Sequence, residues 1–174
     1  MKELFKIDKQ NYNKDGTVGK RPSVRGIIIK DSKVAMIHSL KYDYYKLPGG
    51  GIEHGETHEE TLIREVREES GLIVKAESIQ EFGYVRRIEK GKVEDIFIQD
   101  NYYYLCEVDE VQVEQNLDDY EEKEQFVLEF VYPDYAIHIN ENSDHKEKEQ
   151  IITFRGMLER ENRVLEQISG SVFG

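Results

Sequence analysis

The sequence of 174 residues holds a single cysteine, Cys106. One thiol can form neither an intrachain disulfide nor a thiolate zinc site, which fits a reducing compartment and leaves Cys106 as a small buried hydrophobe in a strand. Basic side chains are also scarce: 24 Lys and Arg stand against 36 Asp and Glu, for a formal net charge of −12. Duplex nucleic acid is bound by clustered cations that release counterions, so this balance excludes a general phosphate-backbone binder. No apolar run approaches the roughly 20 residues that span a bilayer, and the opening MKELFKIDKQ lacks both the apolar core and the small-residue cleavage site of a signal peptide. The expectation is a cytoplasmic protein with no membrane partner. Small phosphate compounds stay in reach, because a bound divalent cation inverts a local acidic field.

There are no repeats and no stretch with the composition of a linker, so residues 1–174 read as one domain. After a polar, glycine-containing lead, SVRGIIIK and VAMIHSL are rich in β-branched and apolar residues and read as strands separated by DSK. KYDYYKLPGG is a loop or short strand. Thr57 with Glu60 makes a capping box, Leu62 and Val66 share a face, and Gly71 is a stop signal, which together predict a helix over Thr57–Ser70. GLIVKAESIQEFGYVRRI and VEDIFIQDNYYYLCEV flank EKGK and predict two long hairpin strands; FVLEFV is a further strand. Pro133 in YPDYAIHIN suits a helix start. From Lys146 onward, Ile151, Phe154, Leu158, Leu165 and Ile168 recur at helical spacing and predict a long C-terminal helix. Mixed strands and helices imply an α/β or α+β fold with helices covering a mixed sheet.

The segment PGGGIEHGETHEETLIREVREESGL, Pro48–Leu72, concentrates seven glutamates behind a glycine turn. Glu65, Glu68 and Glu69 fall at i, i+3 and i+4, so three like charges crowd one helix face and repel unless a cation compensates them. Oxygen donors of this kind suit a hard divalent ion that completes its shell with water and phosphate oxygens. The other reading is a solvated face stitched by Glu60–Arg64 and Arg64–Glu68 pairs at i, i+4.

Gly50, Glu56, Arg64, Glu65, Val66, Glu68, Glu69, Gly71 and Leu72 occupy every fixed position of a spaced signature: Gly, five residues, Glu, seven residues, then Arg-Glu-apolar-any-Glu-Glu-any-Gly-apolar. The stretch resembles the Nudix box, and the preceding KLPGG resembles the lead-in of many members. The resemblance implies an α/β/α sandwich and a loop-helix-loop that binds Mg²⁺ or Mn²⁺ and hydrolyses a nucleoside diphosphate linked to another moiety. By position, Glu65, Glu68 and Glu69 match the metal ligands, Gly50 belongs to the turn that brings a carbonyl to the metal, and Glu56 with Arg64 holds the loop in shape. Thr61, where members often carry alanine, is expected to affect only local packing.

A general base is open between Glu65 and a loop glutamate before FVLEFV, where Glu121, Glu122 and Glu124 stand. Substrate contacts are expected among the arginines Arg21 and Arg25 or Arg86 and Arg87, for phosphate, and Tyr42, Tyr44 and Tyr45, for base stacking. Arg25, Arg86 and Tyr45 lead that set, with surface roles for the arginines and sheet packing for the tyrosines as alternatives. NYYYLCEV reads as strand packing, and His38 and His138 as core histidines. The leading function is a metal-dependent hydrolase of small nucleotides or related diphosphates. The alternatives are a catalytically silent ligand-sensing module of the same fold and a related isomerase, for which Cys106 lies outside the expected place of a catalytic thiol.

Overall fold

The computed structural model describes residues 1–173. In chain order the elements are β1 (Glu3–Asp8), β2 (Val18–Lys20), β3 (Ser23–Ile27), β4 (Ile29–Lys30), β5 (Lys33–Ser39), β6 (Tyr44–Lys46), β7 (Gly49–Gly51), α1 (His58–Ser70), β8 (Gln80–Glu89), β9 (Ile96–Leu105), α2 (Asp119–Lys123), β10 (Phe126–Val131), α3 (Pro133–Asn142) and α4 (Phe154–Val172). The first sheet is mixed, in the order β1-β8-β9-β3-β7 with β2 beside β9; β1–β8 and β3–β9 are parallel, while β8–β9 and β3–β7 are antiparallel. A second, antiparallel sheet runs β10-β5-β4, with β6 on β5. SVRGIIIK is therefore not one strand: β3 ends at Ile27 and β4 resumes at Ile29 in the other sheet, so a single apolar run serves both.

Alternation along these strands sorts their side chains to two cores. Val24, Ile28 and Ala35 pack with Leu62, Val66 and Leu72 of α1 and its exit, whereas Ile27, Val34 and Met36 pack with Val164, Leu165 and Ile168 of α4. Helices thus cover both faces, the α/β/α arrangement of the Nudix sandwich. Each fully buried Leu or Val stabilises by about 1.5–3 kcal/mol relative to exposure, which is how α1 is held although its outer face is acidic.

Several expectations move. The opening MKELFKIDKQ, where no element is expected, contains β1, a strand parallel to β8, because Phe5 and Ile7 alternate with charged residues in a pattern too short to stand out, and the polar lead NYNKDGTVGKRP contains β2. The first hairpin strand is shorter than Gly71–Ile88: Ala76–Ser78 form a 3₁₀ turn and β8 begins at Gln80. The C-terminal helix begins at Phe154, not Lys146; Lys146–Gln150 are 3₁₀, so Ile151 packs from the loop before the helix. Cys106 is buried, and burial pushes its thiol up to about 12. His138 is exposed, against its core reading, and half-buried His38 lies between Asp43 and Glu129.

Candidate active site

The site is built on α1 and the turn before it. Thr57 accepts from the Glu60 N–H while Glu60 accepts from the Thr57 N–H at 2.9 Å, so the capping box forms and Glu60 is spent on the cap rather than on Arg64. Gly71 closes the helix with φ +76, donating its N–H to the Arg67 carbonyl.

Arg64 turns toward the preceding loop. Its Nε and Nη2 donate to the two Glu56 oxygens at 2.6 and 2.9 Å, Nη1 donates to Glu65 at 2.8 Å and Glu68 at 3.3 Å, and Nη2 reaches the Gly51 carbonyl at 3.3 Å. Glu56 is held well below the usual carboxylate range, at about 2, first by Arg64 and then by Thr61. Thr61 donates its hydroxyl to Glu56 Oε2 at 2.6 Å. This residue is thus more than packing: it fixes the second oxygen of the carboxylate that anchors the loop.

Glu65 sits over Gly50, where a Cβ would displace its carboxylate, so glycine there lets the carboxylate lie directly against the backbone of the turn. Burial raises the Glu65 pKa; Arg64 offsets this in part, and the charges of Glu69 and Glu68 add to the rise. Glu68 is half-buried at the site's edge. Glu69 is fully buried, accepting from the Gly49 N–H at 2.8 Å and from Lys46 Nζ at 2.5 Å. At Gly49 a Cβ would strike the Val24 carbonyl, which ties the turn to β3.

The donor set has the chemistry of a hard-cation site: three carboxylates on one helix face, one destabilised as an anion by burial and by its acidic neighbours, against a glycine turn. Arg64 and Lys46 already share these oxygens. Among the described residues no three acidic, His or Cys side chains stand in a ready-made metal cage, and an ion would compete with these two cations for the carboxylate oxygens.

The other candidates disperse. Glu122 is exposed, and Glu124 is buried away from α1, accepting from the Tyr44 hydroxyl at 2.6 Å and pairing with Lys148. Glu121 is the loop glutamate that feels the site: burial, chiefly, and the Glu69 charge push it up to about 7. Arg86 is an exposed bidentate partner of Asp100, and Arg21 is exposed. Tyr44 and Tyr45 are core residues, Tyr45 stacking on His38 with ring centroids 4.2 Å apart. Arg25 is buried and donates to the Leu47 carbonyl at 3.0 Å, behind the turn.

The sequence profile of the NUDIX domain matches residues 19–160. The chain belongs to the Nudix family. An ADP-ribose pyrophosphatase of Methanocaldococcus jannaschii is 45% identical over 60 residues, covering 33% of this chain and 36% of that protein. An RNA pyrophosphohydrolase of Acinetobacter baylyi is 41% identical over 56 residues, 32% of this chain and 34% of that protein. The chain spans about a third of the length of these curated relatives. Among solved structures, the Escherichia coli ORF135 protein superimposes with a TM-score of 0.56 at 15% identity over 90% of this chain and 96% of that one. A Nudix hydrolase of Nitrosomonas europaea gives 0.56 at 14% identity over 82% and 90%. At such identities the likeness is one of fold, and it extends over most of this Nudix chain.

Lys46 was missed because nothing in YYKLPGG distinguishes a solvated lysine from one turned inward; only the pairing of β6 with β5 places it beside Glu69. Glu161 did leave a signal. Phe154, Leu158, Leu165 and Ile168 define an alternating four-three spacing, and Glu161 occupies the slot between Leu158 and Leu165, a charge where the pattern calls for a core residue.

Proposed function

We propose that this chain, as one Nudix unit over residues 1–174 in a reducing cytoplasm, hydrolyses the phosphoric anhydride of a nucleoside diphosphate linked to another moiety, with Mg²⁺ or Mn²⁺ as cofactor. The observation that carries this is the placement of Glu65, Glu68 and Glu69 along one face of α1 against the glycine turn, Arg64 tying Glu65 and Glu68 to the Gly51 carbonyl and the Gly49 N–H holding Glu69. Glu65, Glu68, Glu69 and the Gly50 backbone are the residues assigned to hold the ion. When bound, the ion supplies charge compensation for the phosphates and Lewis acidity at the scissile bond.

The chain's own groups have separable tasks. Arg64 and Glu56 hold the loop so that the Gly50 peptide and Glu65 stay in register. Glu121, half-buried and balanced near neutrality, is assigned the role of proton acceptor, since a base with a pKa close to the working pH is most effective. With a net charge of −12 a duplex partner is disfavoured, and the substrate is a small nucleotide. The names of the two curated relatives make ADP-ribose and RNA the first compounds to try. The test is a product-release screen with Mg²⁺ and Mn²⁺ over ADP-ribose, nucleoside triphosphates, sugar nucleotides, dinucleoside polyphosphates and a 5′-triphosphorylated oligonucleotide. Turnover of at least one of them, abolished by chelator, is expected; no turnover with either metal would leave the ligand-sensing reading.

A further inference from the structure

On the α4 side of the first sheet the interior is charged. Arg25, Arg87 and Arg160 are each at least 90% buried, and among the described residues the carboxylates buried beside them are Glu89 and Glu161. Arg25 and Arg87 come from β3 and β8, Arg160 and Glu161 from α4, so strand alternation and the polar slot in the helix pattern bring them face to face. Arg160 donates to Gln99 at 2.8 Å and to Glu161 at 2.9 Å; Arg25 lies 3.9 Å from Glu161, and Arg87 3.5 Å from Glu89.

Three guanidiniums against two carboxylates leave one excess positive charge in a water-poor interior, an arrangement that costs several kcal/mol unless an anion compensates it. The polar inventory is likewise incomplete. The Tyr103 hydroxyl, Asn101 Nδ2, Arg160 Nε and Arg87 Nε are buried without a hydrogen-bond partner among the described residues, as is the Glu89 oxygen that faces Arg87 Nε at 3.5 Å. Four of these five are donors, and donors are what a phosphate accepts from. Arg87 is lowered to about 9, by burial first and then by the charge of Arg160, as befits an under-compensated guanidinium.

The cluster also touches the catalytic turn. Arg25 Nη1 donates to the Leu47 carbonyl, and Glu161 accepts the Leu47 N–H at 3.0 Å. Gly50 faces Glu65 on one side of β7, while Gly49 pairs with Arg25, which points to the other side. Because β7 is the edge strand, the carboxylate face and the arginine face are separated by one sheet edge, on the order of 10 Å.

We propose that Arg25, Arg87 and Arg160, with Tyr103 and Asn101, form a binding pocket for a phosphate group of the substrate that lies outside the diphosphate being cut. It rests on the hydrolase reading for the identity of the substrate, not for the binding itself. The substrate passes over the β7 edge, anhydride toward α1 and second phosphate beneath α4, which selects compounds carrying phosphate at both places.

The test is the melting temperature of metal-free protein in chelator, with inorganic phosphate against chloride at equal ionic strength. Wild type should rise by about 3 °C at ten times the dissociation constant of phosphate. Arg87→Gln should lose that rise; since it also takes the counter-charge from buried Glu89, 3.5 Å away, its own melting temperature without phosphate is the baseline. Arg155→Gln, which alters an exposed arginine paired with Glu149, should keep the rise. A wild type indifferent to phosphate overturns the proposal, as does a rise that survives in Arg87→Gln. Should Arg87→Gln fail to fold, the wild-type arm still decides, with Arg87→Lys, which keeps the charge but loses the fork, expected to show a smaller rise. No turnover enters this measurement, so its failure leaves the hydrolase reading standing, and a failed substrate screen with an intact phosphate rise removes that reading alone.

Discussion

Arg64 is the residue on which the most charge converges: Glu56, Glu65 and Glu68 all take hydrogen bonds from it. Its removal should leave those carboxylates to repel one another, so Arg64→Ala is expected to lose about 1–3 kcal/mol of stability and weaken metal binding at the same time. Thermal melts with and without Mn²⁺ check this; a loss confined to substrate affinity would contradict the positioning role. Thr61 acts through Glu56. With its folded pKa depressed to about 2, Glu56 contributes stability that is present above pH ~4.5 and lost as the pH falls toward 2. Thr61→Ala removes one of the hydrogen bonds to the ionised form and brings the folded pKa nearer the ordinary value, so the variant should be less stable than wild type at neutral pH and lose less stability than wild type between pH ~4.5 and 2 in acid titration. The three helix glutamates also part ways here, where sequence spacing treats them alike. Glu68 is half-buried and held only at 3.3 Å, so Glu68→Gln should be close to neutral in the metal-free protein. Glu69→Gln leaves half-buried Lys46 without its counter-charge and should cost about 3 kcal/mol; equal melting temperatures for the two variants would refute the distinction.

At the scale of elements, α1 was legible nearly to the residue because its signals are local: a capping box, an apolar pair four apart and a terminal glycine all lie within one stretch of chain. β10 and the Pro133 start of α3 were legible for the same reason. What the sequence hid depends on partners distant along the chain. β1 exists by pairing with β8, and the burial of Arg25, Arg87 and Arg160 follows from packing of α4 on the sheet. The loop base shows the same limit: Glu121, Glu122 and Glu124 are equivalent in sequence, yet the turn of α2 points one toward Glu69, one to solvent and one to Lys148. Glu121 yields a test at this scale. Its folded pKa of about 7 lies above the ordinary carboxylate value, so between roughly pH 4.5 and 7 the folded state binds the extra proton and stability falls as pH rises. Glu121→Gln keeps a capping-box side chain. In chelator it should match wild type at pH 4 and exceed it at pH 8 by a few tenths to about 1 kcal/mol, allowing for solvent screening. A variant less stable at pH 8 would show that the Glu121 charge is not under strain.

For the molecule as a whole, the α/β/α sandwich places α1 between solvent and the two sheets, and edge strand β7 beneath it presents the glycine turn to the helix carboxylates. The account stands on those carboxylates working through a divalent ion. The most direct measurement is the initial rate of anhydride cleavage against Mg²⁺ or Mn²⁺ concentration, for wild type and for Glu68→Gln, the substitution least able to disturb the fold. Wild type should be inactive in chelator and saturate with metal, whereas Glu68→Gln, folded and equally stable without metal, should need roughly tenfold or more metal or fail to turn over. Superimposable metal curves for the two proteins, or cleavage that persists in chelator, would contradict it.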